Sequence, residues 1–270
     1  MKRVIIIYGM KRSGNHAIIN WLKAHDYFFF FNNVIPIDPI LRGEKIIPSP
    51  EDFNLWLQRR LPQNIFGNCN FKKIEKFAYF LNLKKFALRK HSLIVSLEDH
   101  ELWVRPFLKA DHDVINILIL RDPRNMFSSR IRKASLINNL AYPNHSGPLM
   151  DRVLELWKIY AREYLGLTNY LENKLCIYFN SWFSDQNYRQ SISQNLNIEF
   201  NDSGFSQVSR TGLGSSFDGV QYSGESQNMR VLTREKFLND SERQLLEAVL
   251  ADDELQNLTD RITATSRVGV

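Results

Sequence analysis

The sequence predicts an α/β fold, with a central parallel β-sheet flanked by helices and residues 1–270 forming one domain. Three observations lead there. Short, nearly uncharged runs of β-branched and aliphatic residues recur along the chain, and longer helical patterns separate them. The first run also feeds straight into a glycine-bounded basic loop. Alternation of this kind is the signature of a covered parallel sheet, and such sheets bind ligands beyond the carboxyl ends of their strands.

The elements follow in chain order. Val4–Tyr8, Leu93–Leu97, Val114–Leu120 and Leu175–Phe179 are continuous apolar runs, as expected of strands buried on both faces. Tyr27–Phe31 is an aromatic strand after the first helix. Helical patterns cover Phe71–Leu88, Pro123–Ser135 and Pro148–Asn173. In the last, Leu154, Trp157, Ala161, Leu165 and Thr168 recur every three or four residues, one apolar stripe. Irregular stretches fall at Asn32–Pro50, Asn138–Pro148 and the Ser/Gly-rich Asp202–Asn228. Loops of that length in a compact domain serve as lids or binding loops, or as plain surface connections.

Composition narrows the function classes. Thirty-five Lys and Arg against 29 Asp and Glu give a net charge of +6, which favours anionic ligands without implying nucleic acid. No segment reaches the roughly 18 unbroken apolar residues of a membrane span. The run after Lys2 and Arg3 is too short for a signal peptide and is followed by more cations. Two cysteines, Cys69 and Cys176, make no disulfide framework. The expectation is a cytoplasmic globular protein with neither membrane nor nucleic-acid partner; the oligomeric state is not legible.

After Val4–Tyr8 comes Gly9-Met10-Lys11-Arg12-Ser13-Gly14-Asn15-His16, then a helical pattern from Ala17. Backbone N–H groups at a helix start, with Lys11 and Arg12 beside them, make an anion site. Gly9 and Gly14 stand five apart, as in a P-loop, so the fold class expected is a P-loop-like three-layer one. That motif continues with Lys and then Ser or Thr, whose hydroxyl holds Mg²⁺. Asn15 and His16 supply neither, which argues against ATP or GTP hydrolysis and against a bound metal.

A second anion element follows the Val114–Leu120 run. Asp122 and Pro123 read as N-cap and first residue of a helix, so Arg121 sits at a strand's carboxyl end. Ser129, two turns into that helix, returns to the same side. The Leu93–Leu97 run is followed by Glu98, Asp99 and His100. Imidazole titrates near neutrality unaided, which makes His100 the first choice as a base. Asp99 or Glu98 would orient or replace it, and His16 in the loop is a further candidate.

Arg12-Ser13-Gly14-Asn15 resembles the first loop of the 3′-phosphoadenosine 5′-phosphosulfate (PAPS)-dependent sulfotransferases, and Arg121 with Ser129 resembles their 3′-phosphate site. The resemblance spans about residues 3–217. It implies transfer of a sulfonate group from PAPS to a hydroxyl or amine of a small-molecule acceptor, such as a natural product. Adenosine 3′,5′-bisphosphate would be released, and no metal is required. It further implies that Lys11, Arg12, Ser13, Gly14, Asn15, His16 and Ala17 hold the 5′-phosphosulfate end, with Arg12 and Lys11 stabilising the leaving oxygen. Arg121 and Ser129 would hold the 3′-phosphate. Arg210, Thr211 and Gly212 resemble the family's closing loop, with the second glycine one residue early. Ala17 stands where many members carry Trp, and Phe179 takes the place of an aromatic residue near adenine. The resemblance puts the base about 22 residues ahead of Arg121, where Asp99 has the spacing and His100 follows it, so the base implied is His100, with Asp99. The alternatives are a kinase-class phosphoryl transferase and a non-catalytic nucleotide-binding protein on the same scaffold.

Overall fold

The computed structural model of the chain describes residues 3–25, 28–32, 92–103, 114–136, 148–208 and 215–268. Among these residues five strands form one parallel sheet: β1 (Val4–Gly9), β2 (Phe28–Phe31), β3 (Ser92–Glu98), β4 (Val114–Leu120) and β5 (Lys174–Tyr178). Their order across the sheet is β2-β3-β1-β4-β5, so β1 lies at the centre. Val4 pairs with Leu93 on one side and with Val114 on the other. The predicted helix Phe71–Leu88 and most of the Asn32–Pro50 stretch lie outside the described residues.

Every residue of β1 is buried, as its unbroken apolar run requires. Ile5 and Ile7 face a core built with Ile18, Ile19, Trp21 and Leu22 of α1 (Asn15–Lys23). To that core α4 (Phe179–Ser184) adds Phe179 and Trp182, and α5 (Gln186–Asn195) adds Ile192. Val4, Ile6 and Tyr8 face the opposite core. This one is covered by α2 (Pro123–Leu136), α3 (Pro148–Tyr164), α6 (Asp240–Leu250) and α7 (Asp253–Val268). Helices thus cover both faces, giving the three layers of the expected fold class. None of the described helices is long and apolar enough to cross a membrane.

Two element ends differ from the sequence reading. The stripe predicted to run to Asn173 stops at Tyr164, because Gly166 takes φ 71° and turns the chain. Leu167 N–H donates to Arg162 O and Gly166 N–H to Glu163 O, the paired bonds of a Schellman end. The Glu163 carboxylate then accepts from the Tyr170 and Leu171 amides and from Lys174, which fixes the turn into β5. Phe179, predicted as the end of β5, instead opens α4.

The central position of β1 places its following loop at the carboxyl end of the sheet, between the ends of β3 and β4. A strand at the edge would leave one flank of that loop open. Here both flanks are supplied by neighbouring strands.

Candidate active site

The loop after β1 is held in an unusual backbone conformation. Arg12 has φ 72° and Gly14 φ 89°. Left-handed geometry is uncommon for a residue with a side chain, and it persists where surroundings enforce it. The enforcing group is Asp99, itself at φ 58° just after β3. Its Oδ1 accepts from the Lys11 amide at 2.9 Å and from Arg130 at 2.9 Å, and its Oδ2 accepts from Arg130 at 2.6 Å. Arg130 also donates to Lys11 O at 3.1 Å. Burial alone would push the Asp99 carboxyl up, but the charge and hydrogen bonds of Arg130 and Lys11 outweigh it and hold it below the ordinary carboxylate value.

Two glycines shape the loop. A Cβ on Gly9 would stand 2.1 Å from Asn15 Oδ1, and one on Gly14 would stand 2.1 Å from the Phe179 ring. The absence of a side chain therefore lets Asn15 fold back over the end of β1. Its Nδ2 donates to Met10 O at 3.1 Å and to Glu98 Oε1 at 3.2 Å. Asn15 occupies the place of the P-loop Lys and closes the loop internally. At the start of α1 the Ala17 and Ile18 amides donate to Gly14 O at 3.0 and 3.2 Å, and the amides before them are those that a helix start offers to an anion.

On the β4 side, Asp122 caps α2, its Oδ1 accepting from Asn125 N–H at 2.8 Å, as the Asp-Pro pair predicted. Arg121 is 5% exposed and has no carboxylate at ion-pair distance among the described residues. Its Nη1 donates to Arg12 O at 2.8 Å and its Nη2 to Val231 O, while its guanidinium stands 4.9 Å from the centre of the Phe179 ring. Its Nε has no hydrogen-bond partner among the described residues. Burial lowers Arg121 to about 9; Asp122 opposes that shift, while the charges of Arg234 and Arg12 add to it. A buried cation in this state lacks a counter-anion. That is the condition an anionic ligand would relieve.

These groups surround one open cleft of about 830 Å³, counting the space open to solvent. Arg12, Gly14, Asn15, His16 and Ala17 line its loop end, and Arg121, Ser129 and Phe179 line the β4–β5 side. Of the residues singled out from sequence, these eight and Glu98 are brought together. Ser13 and Lys11 do not line the cleft; Ser13 is buried and its N–H closes a turn onto Met10 O at 3.1 Å. The Ser13 turn and the bonds of the Lys11 backbone to Asp99 and Arg130 shape the loop. His100 and Asp99 also stand away from the cleft. His100 is fully buried, its carbonyl accepting from Tyr160 Oη at 2.8 Å, and Asp99 is committed to Arg130. The expected base pair thus lacks access, whereas Glu98 and His16 both line the cleft. Arg210, Thr211 and Gly212 lie outside the described residues, flanked by Val208 and Ser215, which do line it.

Sequence reasoning missed three features. Arg234, 2% exposed, joins the cationic side; it pairs with Asp218 at 2.6 Å and donates to Ser215 Oγ at 3.0 Å. Asn125 holds this segment, accepting from the Arg234 N–H at 2.6 Å and donating to Leu232 O at 3.0 Å. No local motif marks Arg234. Arg130, the pin of the loop, immediately follows Ser129, and its burial was not legible there. The third feature is an aromatic wall of Phe179, Trp182, Phe183 and Phe205. Three of these stand at i, i+3 and i+4, a pattern that marks one helix face. This wall gives the cleft an aromatic surface beside Ala17.

No protein-family model matches the chain, and no curated protein matches it in sequence. Among solved structures it is similar to the sulfotransferase domain from the curacin biosynthetic pathway, at 14% identity and TM-score 0.48, over 97% of this chain and 98% of that one. The sulfotransferase domain of the Synechococcus PCC 7002 olefin synthase gives 12% identity and TM-score 0.45, over 97% and 96%. Mouse sulfotransferase SULT7A1 complexed with PAP gives 12% and 0.45, over 96% and 89%. These three structural neighbours are all sulfotransferases.

Proposed function

We propose that the chain transfers a sulfonate group from PAPS to a hydroxyl or amine of a small-molecule acceptor, releasing adenosine 3′,5′-bisphosphate. The single observation that carries this reading is the bond from Arg121 Nη1 to Arg12 O at 2.8 Å. It joins the two anion elements, which are far apart in sequence, side by side in one cleft. A donor that carries phosphates on the 3′ and 5′ carbons of one ribose needs two neighbouring sites of this kind, with an aromatic surface beside them for the base. The lack of charge compensation at Arg121 supports the fit of a phosphate there.

In this reading Arg121 and Ser129, helped by Arg234, hold the 3′-phosphate. The α1 amides and Arg12 hold the 5′-phosphosulfate and stabilise charge on the departing phosphate oxygen. Preorganised donors of this kind need no rearrangement as charge develops. Phe179, Trp182, Phe183 and Phe205 receive the base. Residues 1–270 act as one cytoplasmic domain on a small metabolite such as a natural product, without a metal.

Calorimetry with adenosine 3′,5′-bisphosphate and with ATP, each with and without EDTA, tests the reading. The expected result is bisphosphate binding that EDTA leaves unchanged. Absence of that binding sinks the proposal, and Mg²⁺-dependent preference for ATP identifies a phosphoryl transferase instead. Incubation with PAPS and a panel of alcohols and amines, read by mass spectrometry, then seeks the added sulfonate.

A further inference from the structure

Sulfonate transfer leaves one chemical task without an owner, because His100 and Asp99 are shut away from the cleft. Two other groups meet at the loop end of the cleft, on the β3 side. Glu98 closes β3 and pairs in register with Gly9, the last residue of β1, which brings it beside the loop. His16 lies in the first turn of α1, its Nε2 3.4 Å from Glu98 Oε1. The same Oε1 accepts from Asn15 Nδ2 at 3.2 Å, so the carboxylate is fixed on two sides. Both His16 and Glu98 line the cleft. From β2, the Phe30 ring meets the imidazole edge-on with centroids 6.1 Å apart.

Resting on the sulfonate-transfer reading, we propose that His16, oriented by Glu98, takes the proton from a neutral hydroxyl acceptor on the β2–β3 side of the cleft. The acceptor oxygen bonds to sulfur as the bond from sulfur to the 5′-phosphate oxygen breaks. That oxygen keeps the electron pair and leaves as adenosine 3′,5′-bisphosphate. The hydroxyl proton passes to the imidazole, and the imidazolium is stabilised by the Glu98 carboxylate until solvent removes the proton. With Nε2 turned to Glu98, Nδ1 carries the basic lone pair, the arrangement in which a carboxylate fixes a histidine tautomer.

The charges around the ring agree with this role. Burial lowers the imidazole below its ordinary value; Glu98 opposes that shift and Arg12 adds to it. The ring is therefore neutral, and able to accept a proton, at pH 7. The acceptor class follows from the pair itself. A protonated amine has no lone pair with which to attack sulfur and would engage Glu98 in place of His16, whereas a neutral alcohol or phenol brings the proton that His16 stands to remove.

The test compares wild type with His16→Gln and Glu98→Gln on three readouts. Bisphosphate binding by calorimetry is expected to stay within about threefold of wild type in His16→Gln. PAPS consumption with phenols, primary alcohols or water is expected to fall at least about 100-fold in His16→Gln, the usual size of a general-base contribution. Imidazole titration by NMR is expected to place His16 below 6.5 and to move it lower still in Glu98→Gln, which loses the charge opposing the shift. The inference is overturned if His16→Gln consumes PAPS at near the wild-type rate, or if the His16 signal ignores Glu98→Gln. It is also overturned if the wild type binds bisphosphate but consumes no PAPS. A wild type that binds no bisphosphate instead overturns the reading beneath it.

Discussion

Two buried arginines, Arg121 just before α2 and Arg130 within it, stand nine residues apart and are both hidden from water, yet only one of them is neutralised. Arg130 meets Asp99 with two parallel hydrogen bonds, a bidentate pair satisfied within the protein. Arg121 is held by two backbone carbonyls and an aromatic ring, partners that orient a guanidinium without cancelling its charge. The first arrangement is complete and shapes a loop. Under the proposed function the second is completed by a phosphate of the donor. The contrast then separates a structural cation from a ligand-binding one more sharply than burial or sequence position does.

The largest effect expected comes from breaking the completed pair. Asp99→Asn leaves Arg130 buried without its counter-charge, and removing one partner of a buried ion pair costs about 3–5 kcal/mol. Urea unfolding near neutral pH is the measurement, and a loss under about 1 kcal/mol would contradict the assigned role. The pH dependence has a definite sign. Asp99 is held below its ordinary value in the fold, so its contribution is present above the unfolded carboxylate value, about 3.9. It is lost as pH falls through the lower folded value. The gap between wild type and Asp99→Asn therefore closes only in acid.

Arg121→Ala reverses the pattern. Bisphosphate affinity is expected to fall by about 1.5–3 kcal/mol, the range for a hydrogen bond to a charged group. Stability of the unliganded protein is expected to change far less, because the removed charge had no carboxylate partner. If Arg121→Ala destabilises the free protein as much as Asp99→Asn, the contrast between the two arginines collapses.

The same contrast explains what the sequence discloses. The strands were legible because continuous apolar runs need no tertiary information. Arg121 and Ser129 were legible because a strand end, a cap and two helical turns fix their separation. Arg234 was not, since its place depends on Asn125 holding a segment that carries no local signal. That Asp99 and His100 are buried was not legible for a more specific reason. Side chains alternate along a strand, so a shift of one residue at its end changes which face is served. Glu98 keeps the strand register and reaches the cleft, whereas Asp99, at φ 58°, turns the chain toward Arg130. A backbone turn at that point is invisible in residue identities.

Arg234 tests the intermediate case, a buried guanidinium whose charge is shared with Asp218. Burial lowers it, Asp218 opposes that, and Arg12 adds to it. Arg234→Ala is expected to weaken bisphosphate binding by about 0.5–1.5 kcal/mol, less than Arg121→Ala, because part of its charge is already spent. A loss equal to or larger than that of Arg121→Ala would make Arg234 the principal phosphate ligand and reverse the ranking.

The smallest effect belongs to Arg124, on the same helix as Arg130 but 48% exposed in its side chain, where it meets Glu247 at 3.1 Å. Water and salt already screen both charges, and exposed pairs of this kind contribute about 0.2–1 kcal/mol. Arg124 does not line the cleft. Arg124→Ala is therefore expected to leave bisphosphate affinity within about twofold and to lose its small stability effect as salt is raised and the Debye length shortens. Calorimetry at two salt concentrations provides the comparison. If Arg124→Ala weakened binding as strongly as Arg121→Ala, long-range charge would explain the affinity, and the distinction between a neutralised and a waiting guanidinium would lose its force.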